Sequence, residues 1–215
     1  MPVRKIPNSY RSVIGSFSSF KNNQNIMHES LLERDFFLTL EFDKTVKFYE
    51  EQPLRLQYEK NGRTYRYTPD VLVHYHEEYG KKPCIYEVKY SSELKEKKLL
   101  LKEKFEQIEQ YLELNDMDFR LFTEIDMTPI YLENIRFIYG YININDELLL
   151  NKAFQIVKNK NTFQNTLDDY SQNKYDQAEI TPYIWKLVLL GKIEIDLNKP
   201  ISKDAIIRIV KWKIY

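Results

Sequence analysis

A single cysteine, Cys84, stands in the 215 residues. It excludes an internal disulfide and any cysteine-based zinc site, and it makes a reducing cytoplasm the expected compartment. Three histidines, His28, His74 and His76, are too few for a zinc centre. No apolar run approaches the ~18 residues a membrane-crossing helix needs, and no secretory leader is read at the N-terminus, so no membrane association is expected. The five glycines form no phosphate-cradling loop. Net charge is zero, 32 basic against 32 acidic residues, which removes any overall polycationic pull toward nucleic acid.

What is present argues for a packed enzyme-sized chain. Hydrophobic residues make up 43% and aromatics 14%, enough for one large domain or two small ones and against disorder. The charge is also unevenly spread. Residues 1–28 carry Arg4, Lys5, Arg11 and Lys21 with no acid, and residues 199–215 carry five cations against Asp204. Basic ends around an acidic middle suit phosphate contacts outside and a metal inside, although solvated basic tails are also common.

The most informative stretch is Tyr65-Arg-Tyr-Thr-Pro-Asp70-Val-Leu-Val, followed after a polar, Gly80-containing connection by Cys84-Ile-Tyr-Glu87-Val-Lys89. Both runs read as strands of a hairpin, the first continuous from Tyr65 to Val73. Strand alternation puts Glu87 and Lys89 on one face with Val88 on the other, and in-register pairing sets Asp70 beside Glu87. Two carboxylates so placed make an oxygen site for Mg²⁺, with the Val88 carbonyl as a further ligand. Lys89 then contacts the scissile phosphate or helps deprotonate the attacking water. The plainer account is a surface hairpin whose Glu87 and Lys89 form an ion pair worth ~0.2–1 kcal/mol. Pro-Asp and Glu-x-Lys, with sixteen residues between Asp70 and Glu87, are the signature of the PD-(D/E)xK nuclease superfamily.

Around this stretch the elements read in order. Residues 1–25, rich in Ser and Asn, read as an extended basic arm in which Arg4, Lys5 and Arg11 track a phosphate backbone. Residues 30–41 form a helix with Leu32, Phe36 and Leu40 as its buried stripe. Its Ser30-x-x-Glu33 is a capping box; the alternative use of Glu33 is as a third carboxylate of the metal site, with Glu29 its competitor. Residues 46–58 are strand-like with a kink at Pro53, and Asn61-Gly62 is a hairpin turn. A long helix from Ser92 to about Leu114 follows, with Gln107 and Tyr111 one turn apart in a pattern that resembles a DNA-proximal motif of some PD-(D/E)xK families. A strand at 119–124 and a helix at 129–139 complete this part. After Gly140 come three short helices, about 146–158, 162–171 and 177–190, then strand-like runs at 192–197 and 205–210. That order is the order of a winged helix, which binds DNA or protein.

Taken together, Ser30-Leu-Leu-Glu33, Glu51-Gln52-Pro53-Leu54, Thr68-Pro69-Asp70-Val-Leu-Val and Tyr86-Glu-Val-Lys89 resemble, in order, segments of the TnsA family, the endonuclease subunit of heteromeric transposases. Leu121-Phe122-Thr123 and the stretch from Leu190 are similar as well. The resemblance implies an α/β fold: a restriction-endonuclease-like core, a mixed sheet flanked by helices, at residues 1–142, and a small winged-helix domain at 143–215. It implies cleavage of the non-transferred strand at transposon 5′ ends, with Glu33, Asp70, Glu87 and the Val88 carbonyl binding Mg²⁺ (Mn²⁺ able to substitute) and Lys89 assisting water. Gln52 matches a recurrent family position and takes a supporting, DNA-proximal role. The implied partners are double-stranded DNA at transposon ends, a DDE-type transposase and an AAA+ ATPase regulator. The rivals are a stand-alone restriction-type or phage-encoded nuclease, and a non-catalytic subunit that only binds DNA and the ATPase.

Overall fold

The computed structural model describes residues 13–60, 62–96 and 98–210. The chain divides into two compact units, Met1–Met127 and Thr128–Tyr215.

The first unit begins with a hairpin, β1 (Gly15–Ser19) against β2 (Gln24–His28), where the sequence suggested an extended arm through residue 25. Alternation explains it: Phe17 and Ser19, with Ile26 and His28, turn inward, and Ser16, Ser18, Asn25 and Met27 face out. Arg4, Lys5 and Arg11 lie outside the described residues. Helix α1 (Leu31–Phe42) follows, with Ser30 at its N-cap. Strand β3 (Val46–Glu51) is separated by Pro53 from the hairpin of β4 (Leu56–Lys60) and β5 (Arg63–Tyr67). Then come β6 (Val71–Tyr75), β7 (Cys84–Val88), helices α2 (Ser91–Glu96) and α3 (Lys98–Leu114), and β8 (Asp118–Phe122).

Four of these strands make the central sheet, ordered β3-β6-β7-β8. The first three run antiparallel, while β8 is parallel to β7, a pairing that the helical crossover between them makes possible. The result is a mixed sheet covered on both faces. On one side Phe36 of α1 packs on Tyr86 and Phe122, at 4.8 and 4.4 Å between ring centres, and Phe37 stacks on Tyr49 at 5.5 Å. On the other, Leu72 and Ile85 join Ile108 and Leu112 of α3 and Leu56 and Tyr67 of the β4–β5 hairpin in one core. Glu87 and Lys89 continue the alternation that starts at Ile85, so the polar end of β7 emerges beside that second core.

A buried carboxylate anchors the first hairpin. Glu41 accepts from Ser19 Oγ at 2.6 Å, Tyr49 Oη at 2.7 Å and the amides of Phe20 and Lys21 at 3.1 Å each.

In the second unit α4 (Pro129–Tyr139), α5 (Glu147–Ile156), α6 (Phe163–Tyr170) and α7 (Lys174–Leu189) precede a ribbon of β9 (Ile193–Glu194) and β10 (Arg208–Ile209). The sequence reading ended the first domain at residue 142, after α4. Helix α4 nevertheless packs within the second unit: Phe137 meets Trp185 edge-on at 5.3 Å, and Asn134 Nδ2 donates to the carbonyls of Leu197 and Lys199. The two strand-like runs pair over only two residues each. Among the described residues no helix is long and apolar enough to cross a membrane.

Because Glu41→Ala leaves four donors without their acceptor, three of them tied to the first hairpin, its expected cost is about 3 kcal/mol of unfolding free energy in a urea titration.

Candidate active site

The site is built from a break in a strand. Where the sequence suggested one strand from Tyr65 to Val73, the chain bends at residues 68–70, between β5 and β6. Pro69 has no N–H to give a ladder, so pairing stops there. The bend leaves Asp70 at the entry to β6, and the register that pairs Val71 with Tyr86 sets it opposite Glu87 one step further along. Val88 N–H donates to Asp70 Oδ2 at 2.8 Å and fixes the carboxylate against β7.

Three oxygens converge on the Lys89 ammonium: Asp70 Oδ2 at 3.0 Å, the Val88 carbonyl at 3.1 Å and Glu87 Oε1 at 3.2 Å. Glu87 is 1% exposed, whereas the Asp70 and Lys89 side chains retain 21% and 22% of their surface. The cluster is therefore buried at its base and open at its mouth. Tyr67, buried at the end of β5, donates its hydroxyl to Glu87 Oε2. Sequence reading treated Tyr67 only as a strand residue. The available signal was a tyrosine on the inward face, since a buried phenol needs a polar partner.

Burial, and then the negative charge of Glu87, push the Asp70 carboxyl up to about 7, against the pull of Lys89. Burial opposes the charge on Lys89, but Asp70 and Glu87 together outweigh it and hold the ammonium above its ordinary value. Burial and Glu87 also raise the Tyr67 phenol, which keeps it a neutral donor.

Glu33 satisfies the capping reading in modified form. Ser30 Oγ accepts from Glu33 N–H at 3.1 Å, while the Glu33 carboxylate accepts from Ser30 Oγ at 3.0 Å and from the Glu29 amide at 2.7 Å. It also feels the site: burial raises its pKa, those bonds and Lys89 lower it, and its charge raises Asp70. Glu29 Oε1 accepts from Gln52 Nε2 at 2.7 Å. Gln52, assigned from the family a DNA-proximal role, is 9% exposed, and its side-chain amide faces Glu29. Tyr111 is 42% exposed on α3, and the side chain of Gln107 lies outside the described residues. His74 contacts Glu50 at 3.1 Å and stacks on Phe48.

Among the described residues no three His, Cys, Asp or Glu side chains are gathered as a cation cage. The oxygens of Asp70, Glu87 and Val88 instead surround an ammonium, a stand-in for a cation. Hard oxygen donors of this kind suit a divalent cation.

Residues 43–124 match the family model described as TnsA-like endonuclease N terminal. That stretch contains Asp70, Glu87 and Lys89; Glu33 and the second unit lie outside it. No curated protein matches the chain.

The raised Asp70 pKa sets a sign for stability. Between pH 4 and about 7 the folded protein keeps a proton that the unfolded chain releases near 3.8, so this group's contribution falls as pH rises. Without divalent ions, Asp70→Asn therefore gains thermal stability relative to wild type between pH 4 and pH 8, as paired melting curves at the two pH values will read.

Proposed function

With a TnsA-like endonuclease N-terminal domain as premise, we propose that this protein is a divalent-metal-dependent DNA endonuclease that cuts the non-transferred strand at the 5′ ends of a transposon. The observation that carries the reading is the convergence of Asp70 Oδ2, Glu87 Oε1 and the Val88 carbonyl on one point, occupied by the Lys89 ammonium.

Those three oxygens, joined by Glu33, are the proposed holders of Mg²⁺, with Mn²⁺ able to replace it. The ion would polarise the scissile phosphate and stabilise charge on the leaving oxygen. An ammonium and a divalent cation repel at one point, so Lys89 would turn aside from a bound ion. Tethered next to both carboxylates and held as an ammonium, it would then orient the attacking water and stabilise the hydroxide that forms. Tyr67 holds Glu87 Oε2 throughout, so that Glu87 presents Oε1. Hydrolysis leaves a 5′-phosphate and a 3′-hydroxyl.

Double-stranded DNA at transposon ends is the proposed substrate. Arg4, Lys5 and Arg11 are proposed to follow its backbone, with Gln107 and Tyr111 as further proposed DNA contacts. A DDE-type transposase cutting the other strand and an AAA+ ATPase regulator are the proposed partners. The four helices and short ribbon of the second unit are read as a winged-helix-like module that docks one of them; its apolar α7, with Ile184, Trp185 and Leu187 buried, makes a core and leaves little for reading a DNA groove.

Nicking of supercoiled plasmid and of transposon-end DNA tests the reading, with and without a cognate transposase. Wild type is expected to cut only with Mg²⁺ or Mn²⁺ and in the complete mixture. Asp70→Ala and Lys89→Ala are expected to lose at least ~100-fold in rate. Equal cutting by the lone protein points to a stand-alone nuclease, and metal-independent indifference to both substitutions refutes the site.

A further inference from the structure

Gln52 is conspicuous on three counts that the metal-site reading does not use. Its φ is +44°, a left-handed backbone that a non-glycine residue adopts at a cost in strain. Its backbone N–H donates to the Asp70 carbonyl at 2.9 Å, the last rung between the end of β3 and the bend that carries Asp70. And its side chain, buried, gives Nε2 to Glu29 Oε1 at 2.7 Å.

The last bond fixes the orientation of the amide. With the nitrogen donating to Glu29, the carbonyl oxygen points elsewhere. That oxygen, Gln52 Oε1, is buried and has no donor among the described residues. The other such atom there is Nδ1 of His28, the residue before Glu29. Buried acceptors of this kind are normally met by ordered water. Glu29 in turn supplies the amide that holds Glu33 Oε2 at 2.7 Å. One residue thus links the backbone of Asp70, the carboxylate of Glu29 and, through Glu29, the carboxylate of Glu33.

We infer that Gln52 is a positioning residue of the site, whose backbone sets Asp70, whose amide nitrogen sets Glu29 and through it Glu33, and whose buried carbonyl oxygen accepts from an ordered water beside them. This rests on the cation reading above. It replaces direct DNA contact as the role of Gln52, and it explains the strain: the left-handed turn is what lets one residue reach both neighbours at once.

The test measures Mn²⁺ affinity by loss of the free-ion EPR signal, alongside melting temperature, for wild type, Gln52→Gly, Gln52→Met and Asp70→Ala. Glycine accepts φ +44° without strain, so Gln52→Gly is expected to fold as well as wild type. Both Gln52 variants are expected to bind Mn²⁺ at least ~10-fold more weakly, as loss of an outer-layer hydrogen bond does at metal sites. Folded Gln52→Gly and Gln52→Met with wild-type Mn²⁺ affinity overturn the inference while Asp70→Ala still loses binding. Weakening in Gln52→Met alone also overturns it, because strain and packing then suffice. Wild type that binds no Mn²⁺, or Asp70→Ala that binds as wild type does, removes the cation reading itself.

Discussion

The Lys89 ammonium, set between Asp70 Oδ2, Glu87 Oε1 and the Val88 carbonyl, is the interaction on which this site depends. Two carboxylates side by side in a half-buried place repel each other and lose hydration. Each effect favours the protonated acid and explains why Asp70 sits near neutrality. A single internal cation offsets that repulsion and keeps the arrangement intact without a metal. Under the proposed function a divalent ion would compete for the same oxygens.

The rest of the first unit is arranged to bring those groups together. Pro69 stops the β5 ladder and produces the bend; the β6–β7 register then decides which residue of β7 faces Asp70. Tyr67, rooted in the apolar core with Leu72, Ile85 and Ile108, reaches Glu87 from below. Gln52 closes the opposite side, where the end of β3 meets the bend. Four segments distant in sequence, contributing Glu29–Glu33, Gln52, Tyr67–Asp70 and Glu87–Lys89, therefore converge on one end of the sheet. A buried tyrosine and a buried glutamine, each hydrogen-bonded to an acid, hold the carboxylates at angles that strand geometry alone would not specify.

The first hairpin shows the same economy in a different setting. A run of Ser and Asn looks like a flexible tail by composition. Yet Phe17 and Ile26 alternate inward, and Glu41 gathers the turn that joins the strands. Composition records how polar a segment is on average, whereas a strand needs only every second side chain to be apolar.

Much of the fold and the heart of the site were legible in the residues. The capped helix at Ser30, the strand pair around Asp70 and Glu87, the amphipathic helix ending at Leu114 and the helices after Gly140 all follow from local periodicity and turn chemistry. The shared face of Glu87 and Lys89 follows from the two-residue repeat of a strand. What local pattern cannot contain is distance between remote segments. That Tyr67 reaches Glu87, that Gln52 is buried against Glu29 instead of exposed, that α4 packs with Trp185, and that the ribbon at the chain's end pairs over only two residues were decided by packing. Each depends on which surfaces are left to bury once the sheet has formed, a property of the assembled layers that no single stretch of sequence carries.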